Sequence, residues 1–410
     1  MSDSSSGPES SVFAYARRAQ ALRPSAVREI LKVTAQPDVI SFAGGLPAPE
    51  LFPVEDVRAA ADAVLAGDGR AALQYGLTEG HPPLREWIAA HLRATVGIAA
   101  KPEELLITHG SQQGLDLVAR VLLDPGDIVL TENPAYLGAL QVFQAYEATP
   151  VGIRCDEQGL LPSALSEWLE KSPRRAKLLY LIPNYQNPTG VRLASSRRAE
   201  IAAIAARHGL PILEDDPYGR LRYSGEEAPA IASLAEGGSA IYLGSTSKIL
   251  APGLRVAWVH APDAGLRSKL TVAKQASDLH TSSFTQRLVT QYLARPGLFE
   301  AHLGRLREVY GRRRDLMLAA LARELPAGCV WTKPEGGLFL WVTLPAAWNA
   351  TELFAEAAAA KVAFVPGDSF WVGAPVRNTL RLNFSNATEA AIETGVARLG
   401  EILRARAARG

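Results

Sequence analysis

From about residue 55 to 295 the chain alternates between two textures. Stretches with apolar residues at helical spacing, such as "VRAAADAVLA" and "PLREWIAAHLRAT", come first. Short apolar runs that end in turn residues then follow. "ELLITHGSQQ" leads into the helical "QGLDLVARVLL", "DIVLTENPAY" into "LGALQVFQAY", and "KLLYLIPNYQNPTG" into "SSRRAEIAAIAARHG". "LPILEDDPYG" and "AIYLGSTSK" are two more such runs. Strands alternating with helices at this spacing predict an α/β fold, a mainly parallel open sheet with helices on both faces.

After about residue 296 the texture changes. A long helical stretch, "LFEAHLGRLREVYGRRRDLMLAALARE", precedes "CVWTKPEGGLFLWVTL", which reads as two strands around a turn. A helix, "ATELFAEAAAAK", and the strand-like "VAFVPG" and "TLRLNFS" complete a smaller α+β unit. The polar start, "MSDSSSGPESS", reads as a flexible tail over residues 1–20.

In open parallel sheets, ligands bind beyond the carboxyl ends of the strands. On that rule the unusual polar residues converge. His109, Gly110, Ser111 and Gln112 close one apolar run and open a helix; Tyr136, Asn187, Asp215 and Lys248 follow four others. Free N–H groups at the helix start make a phosphate seat, to which Ser245, Ser247 and the forked guanidinium of Arg255 add donors. No nucleotide-binding glycine loop is present. A phosphate seat beside a lysine fits pyridoxal 5'-phosphate, whose aldehyde forms a Schiff base with an amine. Asp215 would then pair with the pyridinium nitrogen, Asn187 and Tyr218 with the ring oxygen, and Tyr136 would stack on the ring. Each residue also has a plain reading: Asp215 and Asn187 as turn formers, Ser111 as a helix cap, Tyr136 as a packing aromatic.

Totals narrow the alternatives. A formal charge of +1 over 410 residues offers no electrostatic reason for a nucleic acid or an anionic membrane as partner. Cys155 and Cys329 are the only cysteines and suit a reducing cytoplasm. The histidines show no metal-ligand spacing, so no metal is expected.

An ordered set of motifs spans the chain from about Arg23 to its end: "SFAGGLPAPELFP", "LQYGLTEGHPPLR", "ITHGSQQGLDLV", "NPAYLGAL", "LIPNYQNPTG", "EDDPYG", "STSKILAPGLR", "PEGGLFLW" and "NTLRLNFS". In these the chain resembles the fold-type I pyridoxal-phosphate-dependent aminotransferases of class I/II, and within them the 2-aminoadipate and kynurenine aminotransferase II group. The resemblance implies that Lys248 is the Schiff-base lysine, Asp215 the pyridinium partner and Tyr136 the stacking aromatic. Asn187 and Tyr218 become the ring-oxygen partners, and Ser111, Gln112, Ser245, Ser247 and Arg255 the phosphate cup. It implies that Tyr75 reaches the phosphate of a partner subunit, hence a homodimer with shared active sites. Arg381 would clamp the substrate α-carboxylate with Asn187, and Gly44 and Gly45 would lie in a flexible segment over the substrate. Arg28, in "PSAVREIL", matches a position that meets an acidic substrate side chain, with a surface charge as its plain reading. Ala257 departs from the glycine common after the phosphate arginine. The implied division is a large cofactor-binding domain over residues 50–295 and a small domain of residues 21–49 plus 296–410.

The expected activity is a ping-pong transamination between an L-amino acid (2-aminoadipate, glutamate, leucine or an aromatic one) and a 2-oxo acid such as 2-oxoglutarate. The rivals are another pyridoxal-phosphate chemistry on the same scaffold, a β-lyase or decarboxylase, since fold does not decide reaction. A cofactor-sensing transcription regulator is a further one, although a DNA-binding domain has no room before the matched region.

Overall fold

The computed structural model describes residues 13–20 and 38–408. Arg28 and most of the expected tail and arm lie outside the described residues. A short strand, β1 (Ile40–Ser41), precedes the strands of a large sheet. These are β2 (Leu105–His109), β3 (Ile128–Asn133), β4 (Thr149–Asp156), β5 (Gly159–Leu160), β6 (Ala176–Leu181), β7 (Ile212–Asp216), β8 (Ala240–Ser245) and β9 (Val256–His260). Across the sheet they run in the order β2-β9-β8-β7-β6-β3-β4-β5.

Strands β4, β3, β6, β7 and β8 are parallel neighbours, while β9 is antiparallel to both β8 and β2. The mainly parallel sheet read from the alternating texture is therefore present. Two features escaped that reading: the antiparallel β9 and the β4–β5 hairpin. Chain length explains β9. A parallel return needs a crossover of about a dozen residues or more, usually a helix; the link 246–255 holds only the short turn Pro252–Leu254. The chain must reverse, so β9 begins at the edge where β8 ends.

The inner strands are buried on both faces, with every residue of β7, β8 and β9 covered. Helices supply the cover. Ser111–Leu122 buries Leu115, Val118 and Ala119, and Ser195–Arg207 buries Ile201, Ile204 and Ala205. Each fully buried Leu or Ile contributes about 1.5–3 kcal/mol relative to exposure.

The remaining strands are β10 (Val330–Trp331), β11 (Phe339–Thr343), β12 (Val362–Ala363), β13 (Val365–Pro366) and β14 (Thr379–Asn383). A second, antiparallel sheet has the order β10-β11-β14-β13. Beside it β1 pairs with β12, so the segment around Phe42 is tied to the C-terminal part of the chain. The long helix Leu298–Glu324 packs on the last helix, Glu389–Ala407, whose buried Ile392, Val396, Leu399 and Leu403 recur at helical spacing. No described helix is long and apolar enough to cross a membrane.

Candidate active site

Because β2, β3, β6, β7 and β8 all run the same way, their carboxyl ends share one edge of the sheet. There β2 turns sharply at Gly110 (φ 79°) into the helix Ser111–Leu122. A Cβ at position 110 would sit 2.1 Å from Arg255 Nη2, so this turn needs glycine for both its backbone and its space. The Arg255 guanidinium donates to His109 O (3.3 Å). It reaches this edge because β9 runs backwards and Arg255 stands just before it.

From the neighbouring strand Ser245 donates to Ser247 Oγ (2.9 Å) and accepts the Ser247 N–H (3.0 Å). Two hydroxyls, a guanidinium and the first N–H groups of a helix thus converge, a ready seat for an anion. The seat is braced from behind. Gln113 Oε1 accepts from His109 N (2.8 Å) and from the fully buried Lys274 Nζ (2.9 Å), while Gln113 Nε2 donates to Asp278 (2.8 Å).

Asp215 is buried near the end of β7. One carboxylate oxygen, Oδ2, accepts from the Tyr180 hydroxyl at 3.0 Å; the other, Oδ1, has no partner. Burial pushes its pKa up to about 7, the Tyr180 hydrogen bond opposing and Asp216 adding to the rise. Lys248 follows β8, and its amine donates to Gly45 O at 2.8 Å. Burial, then the charges of Arg381 and Arg255, bring its pKa down to about 8. A buried amine near that value is neutral often enough to accept a proton.

On the side of the small sheet, Arg381 lies on β14. Its Nη1 donates to Asn187 Oδ1 (2.7 Å) and its Nη2 to Ala43 O (2.7 Å). The guanidinium carbon lies 4.3 Å from the centroid of Phe339 and 5.2 Å from that of Phe370, a flanked geometry that favours a cation. Burial lowers its pKa to about 10. Tyr218 stands edge-on to Phe339, with centroids 5.9 Å apart, and is hydrogen-bonded to Asn187. Tyr136 donates to Gln112 Oε1 (3.4 Å), and burial raises its pKa to about 12.

These side chains enclose a cavity of about 160 Å³ whose wall includes Ser111, Gln112, Tyr136, Asn187, Asp215, Tyr218, Ser245, Ser247, Lys248 and Arg255. That volume accepts a single six-membered ring. A pyridine ring with a phosphate arm fits this donor set. An unpaired buried carboxylate oxygen on Asp215 can meet a ring N–H, an anion seat lies at the helix start, and the Lys248 side chain lines the same cavity.

The structure brings together all but three of the residues singled out from the sequence. Gly45 meets Lys248 through its carbonyl, and Gly44 precedes it. Tyr75 stands apart, 78% exposed and edge-on to His280 (5.8 Å), outside the cavity of the single chain. Arg28 lies outside the described residues. Ala257 is buried within β9, paired with Thr108 and Ser245, away from the cavity wall. Sequence reasoning missed Tyr180, Phe339, Phe370 and the carbonyl of Ala43. Tyr180 left a trace as the lone hydroxyl in the apolar run "KLLYL", and Phe339 and Ala43 stood unremarked inside "PEGGLFLW" and "SFAGGLPAPELFP".

The family model described as aminotransferase class I and II matches residues 37–399. The chain is 44% identical over 394 residues to an aromatic-amino-acid aminotransferase 1 of Thermococcus litoralis, covering 95% of this chain and 94% of the relative. A crystal structure of a Pyrococcus horikoshii kynurenine aminotransferase, in complex with PMP, superposes with a TM-score of 0.92 at 42% identity, over 96% of this chain and 97% of that one. An α-aminoadipate aminotransferase from Thermus thermophilus, complexed with N-(5'-phosphopyridoxyl)-L-leucine, gives 0.89 at 41% identity, over 97% and 98%.

Proposed function

The chain belongs to the class I and II aminotransferases and is a pyridoxal-phosphate-dependent enzyme acting on amino acids and 2-oxo acids; from that premise we propose how its residues divide the work and which substrates it takes. The observation that carries the proposal is that Lys248 and Asp215, whose Oδ1 is unpaired, line one cavity together with the anion seat of Ser111, Ser245, Ser247 and Arg255, with the charge of Arg381 close enough to lower the pKa of Lys248. Pyridoxal phosphate, when bound, supplies an aldehyde carbon and an electron-withdrawing ring.

Ser111, Ser245, Ser247, Arg255 and the N–H groups at the start of the helix Ser111–Leu122 hold the phosphate. Gln112 orients Tyr136, whose ring covers one face of the cofactor. Asp215 accepts the ring N–H, and Asn187 and Tyr218 donate to the ring oxygen. Arg381 binds the substrate α-carboxylate as a fork, with Asn187 keeping the fork in place. Lys248 takes the α-proton as a base and returns it as an acid. A lowered lysine pKa supports that role, because an ordinary amine would be almost wholly protonated at neutral pH.

The proposed substrates are glutamate and 2-aminoadipate, with 2-oxoglutarate as the usual acceptor and with leucine and aromatic amino acids also accepted. The names of the relatives support this range: one carries aromatic amino acids, another α-aminoadipate. Arg28 is the proposed partner of an acidic side chain.

A homodimer is part of the same proposal, with Tyr75 completing the phosphate site of the partner. The exposure of Leu73 (76%) and Leu77 (58%) on either side of Tyr75 supports it, since large apolar side chains clustered at a surface mark contact sites. We take residues 50–295 as the large unit and 21–49 plus 296–410 as the small one. Pairing of β1 with β12, and of the Asn383 amide with Phe42 O (2.8 Å), supports the grouping. A cytoplasmic location completes the proposal.

The test is a half-reaction panel. Holoenzyme is mixed with one amino acid at a time while the visible cofactor band is followed. Glutamate and 2-aminoadipate should bleach it. Bleaching by neutral amino acids alone would sink the dicarboxylate assignment, and ammonia or CO2 release without need of a 2-oxo acid would show a different principal chemistry.

A further inference from the structure

Tyr180 is the only hydroxyl on β6 and is 1% exposed. It takes no part in the cavity wall, yet its hydroxyl donates to Asp215 Oδ2 at 3.0 Å. Its ring is set by Phe143, edge-on with centroids 5.6 Å apart. The hydroxyl is held by packing on one side and by a strand-to-strand hydrogen bond on the other.

We propose that Tyr180 is a positioning residue for the cofactor ring, acting through Asp215: by occupying one carboxylate oxygen it holds the other toward the ring nitrogen and keeps the shared proton on the ring. This rests on the reading of the cavity as a pyridoxal phosphate site with Asp215 as the ring partner. A carboxylate in a buried site draws a proton to itself, and a donor on the charged form opposes that. Here burial raises the pKa of Asp215 and the Tyr180 hydrogen bond works against the rise. Tyr180 remains protonated throughout the working range, since burial raises its own pKa further.

The other groups near Asp215 do not do this task. Asp216, next on its own strand, pushes the pKa of Asp215 upward and is itself bonded to Tyr242 of β8 (2.9 Å). Tyr136 and Tyr218 interact with Asp215 through space only, and Lys248, Arg255 and Arg381 are engaged elsewhere around the cavity. Removing the Tyr180 hydroxyl leaves Asp215 more basic and free to turn, so the proton moves from ring to carboxyl.

The experiment loads wild type, Tyr180→Phe and Tyr242→Phe with ¹⁵N-labelled pyridoxal phosphate and records the ring-nitrogen resonance of each holoenzyme. The expected result is a protonated ring in wild type and a resonance moved toward the neutral position in Tyr180→Phe. Cofactor affinity should fall about tenfold, the scale of a lost hydrogen bond to a charged group. Tyr242→Phe removes an equally buried hydroxyl and should leave the resonance in place. An unmoved resonance in Tyr180→Phe against a protonated wild type overturns the role of Tyr180 alone, whatever the affinity does. An equal movement in Tyr242→Phe overturns it as well, by showing general loosening. A neutral ring in wild type overturns the reading of Asp215 and the role of Tyr180 with it. Tyr180→Met, which also lacks the donor and fills the space flexibly, gives the same reading if the phenylalanine variant does not accumulate.

Discussion

The amine of Lys248 and the carbonyl oxygen of Gly45 are 2.8 Å apart, and two residues earlier the carbonyl of Ala43 is held by Arg381 at 2.7 Å. One short backbone segment therefore engages both the amine proposed as the base and the guanidinium proposed to bind the carboxylate. Both contacts use donors that a bound carboxylate or a covalent partner of the amine would claim, so each carbonyl has to give up its donor when the site is filled.

Lys248→Ala should lower turnover by at least about a thousandfold, within the usual range for removing a proton-transfer group. Borohydride reduction of loaded wild type followed by peptide mapping should find the cofactor on Lys248. Modification of any other lysine would refute the assignment.

The rate should depend on pH through the same amine. Its pKa is lowered to about 8 by burial and neighbouring arginines, and it accepts a proton only when neutral. The α-proton transfer in single-turnover measurements should therefore accelerate as pH rises toward about 8 and level off above it. A profile flat from pH 6 to 9 would rule out Lys248 as the base.

Arg381→Lys should raise KM for every amino acid by about a hundredfold, near 3 kcal/mol, because a lysine cannot reproduce the fork that also holds Asn187 Oδ1. Steady-state kinetics with glutamate and with leucine test this. A loss confined to glutamate would mean that Arg381 reads the side chain and not the α-carboxylate.

The buried carboxyl of Asp215 costs stability, with a sign set by its raised pKa. Its folded pKa is raised to about 7 above an unfolded value near 3.9. The folded state then holds a proton that the unfolded state has lost, so cofactor-free protein loses stability as pH rises from about 4 to about 7. Cofactor-free Asp215→Asn should be more stable than wild type at pH 8, by no more than about 4 kcal/mol, and by only about 1.5 kcal/mol at pH 5. The same variant should bind pyridoxal phosphate more weakly. Thermal scans at the two pH values, with and without cofactor, read both effects.

Gly110→Ala should displace Arg255, since the new methyl would meet Nη2 at 2.1 Å with the backbone at φ 79°. Strain of about 1–3 kcal/mol is expected, read as a roughly ten- to hundredfold weaker cofactor affinity in a titration. Unchanged affinity would show that Arg255 is not needed in the phosphate seat.

Sequence alone was enough for the alternating layers, the mainly parallel sheet and most of the cavity wall. Local rules carry that information: apolar runs ending in turn residues mark strand ends, and ligands gather at carboxyl edges. Gly110, Ser111, Asp215 and Lys248 all stand within a few residues of a strand end and were legible for that reason. Tertiary structure decided the rest. The link 246–255 is too short for a crossover, so β9 reverses and delivers Arg255 to the edge where Ser245 lies. Tyr180 meets Asp215 only because β6 and β7 are neighbours, and Arg381 meets Asn187 and Ala43 only because the small sheet closes over the large one. Such contacts join residues far apart in the chain, and the packing of whole elements sets them; no local pattern of apolar and polar positions encodes which strands will lie side by side.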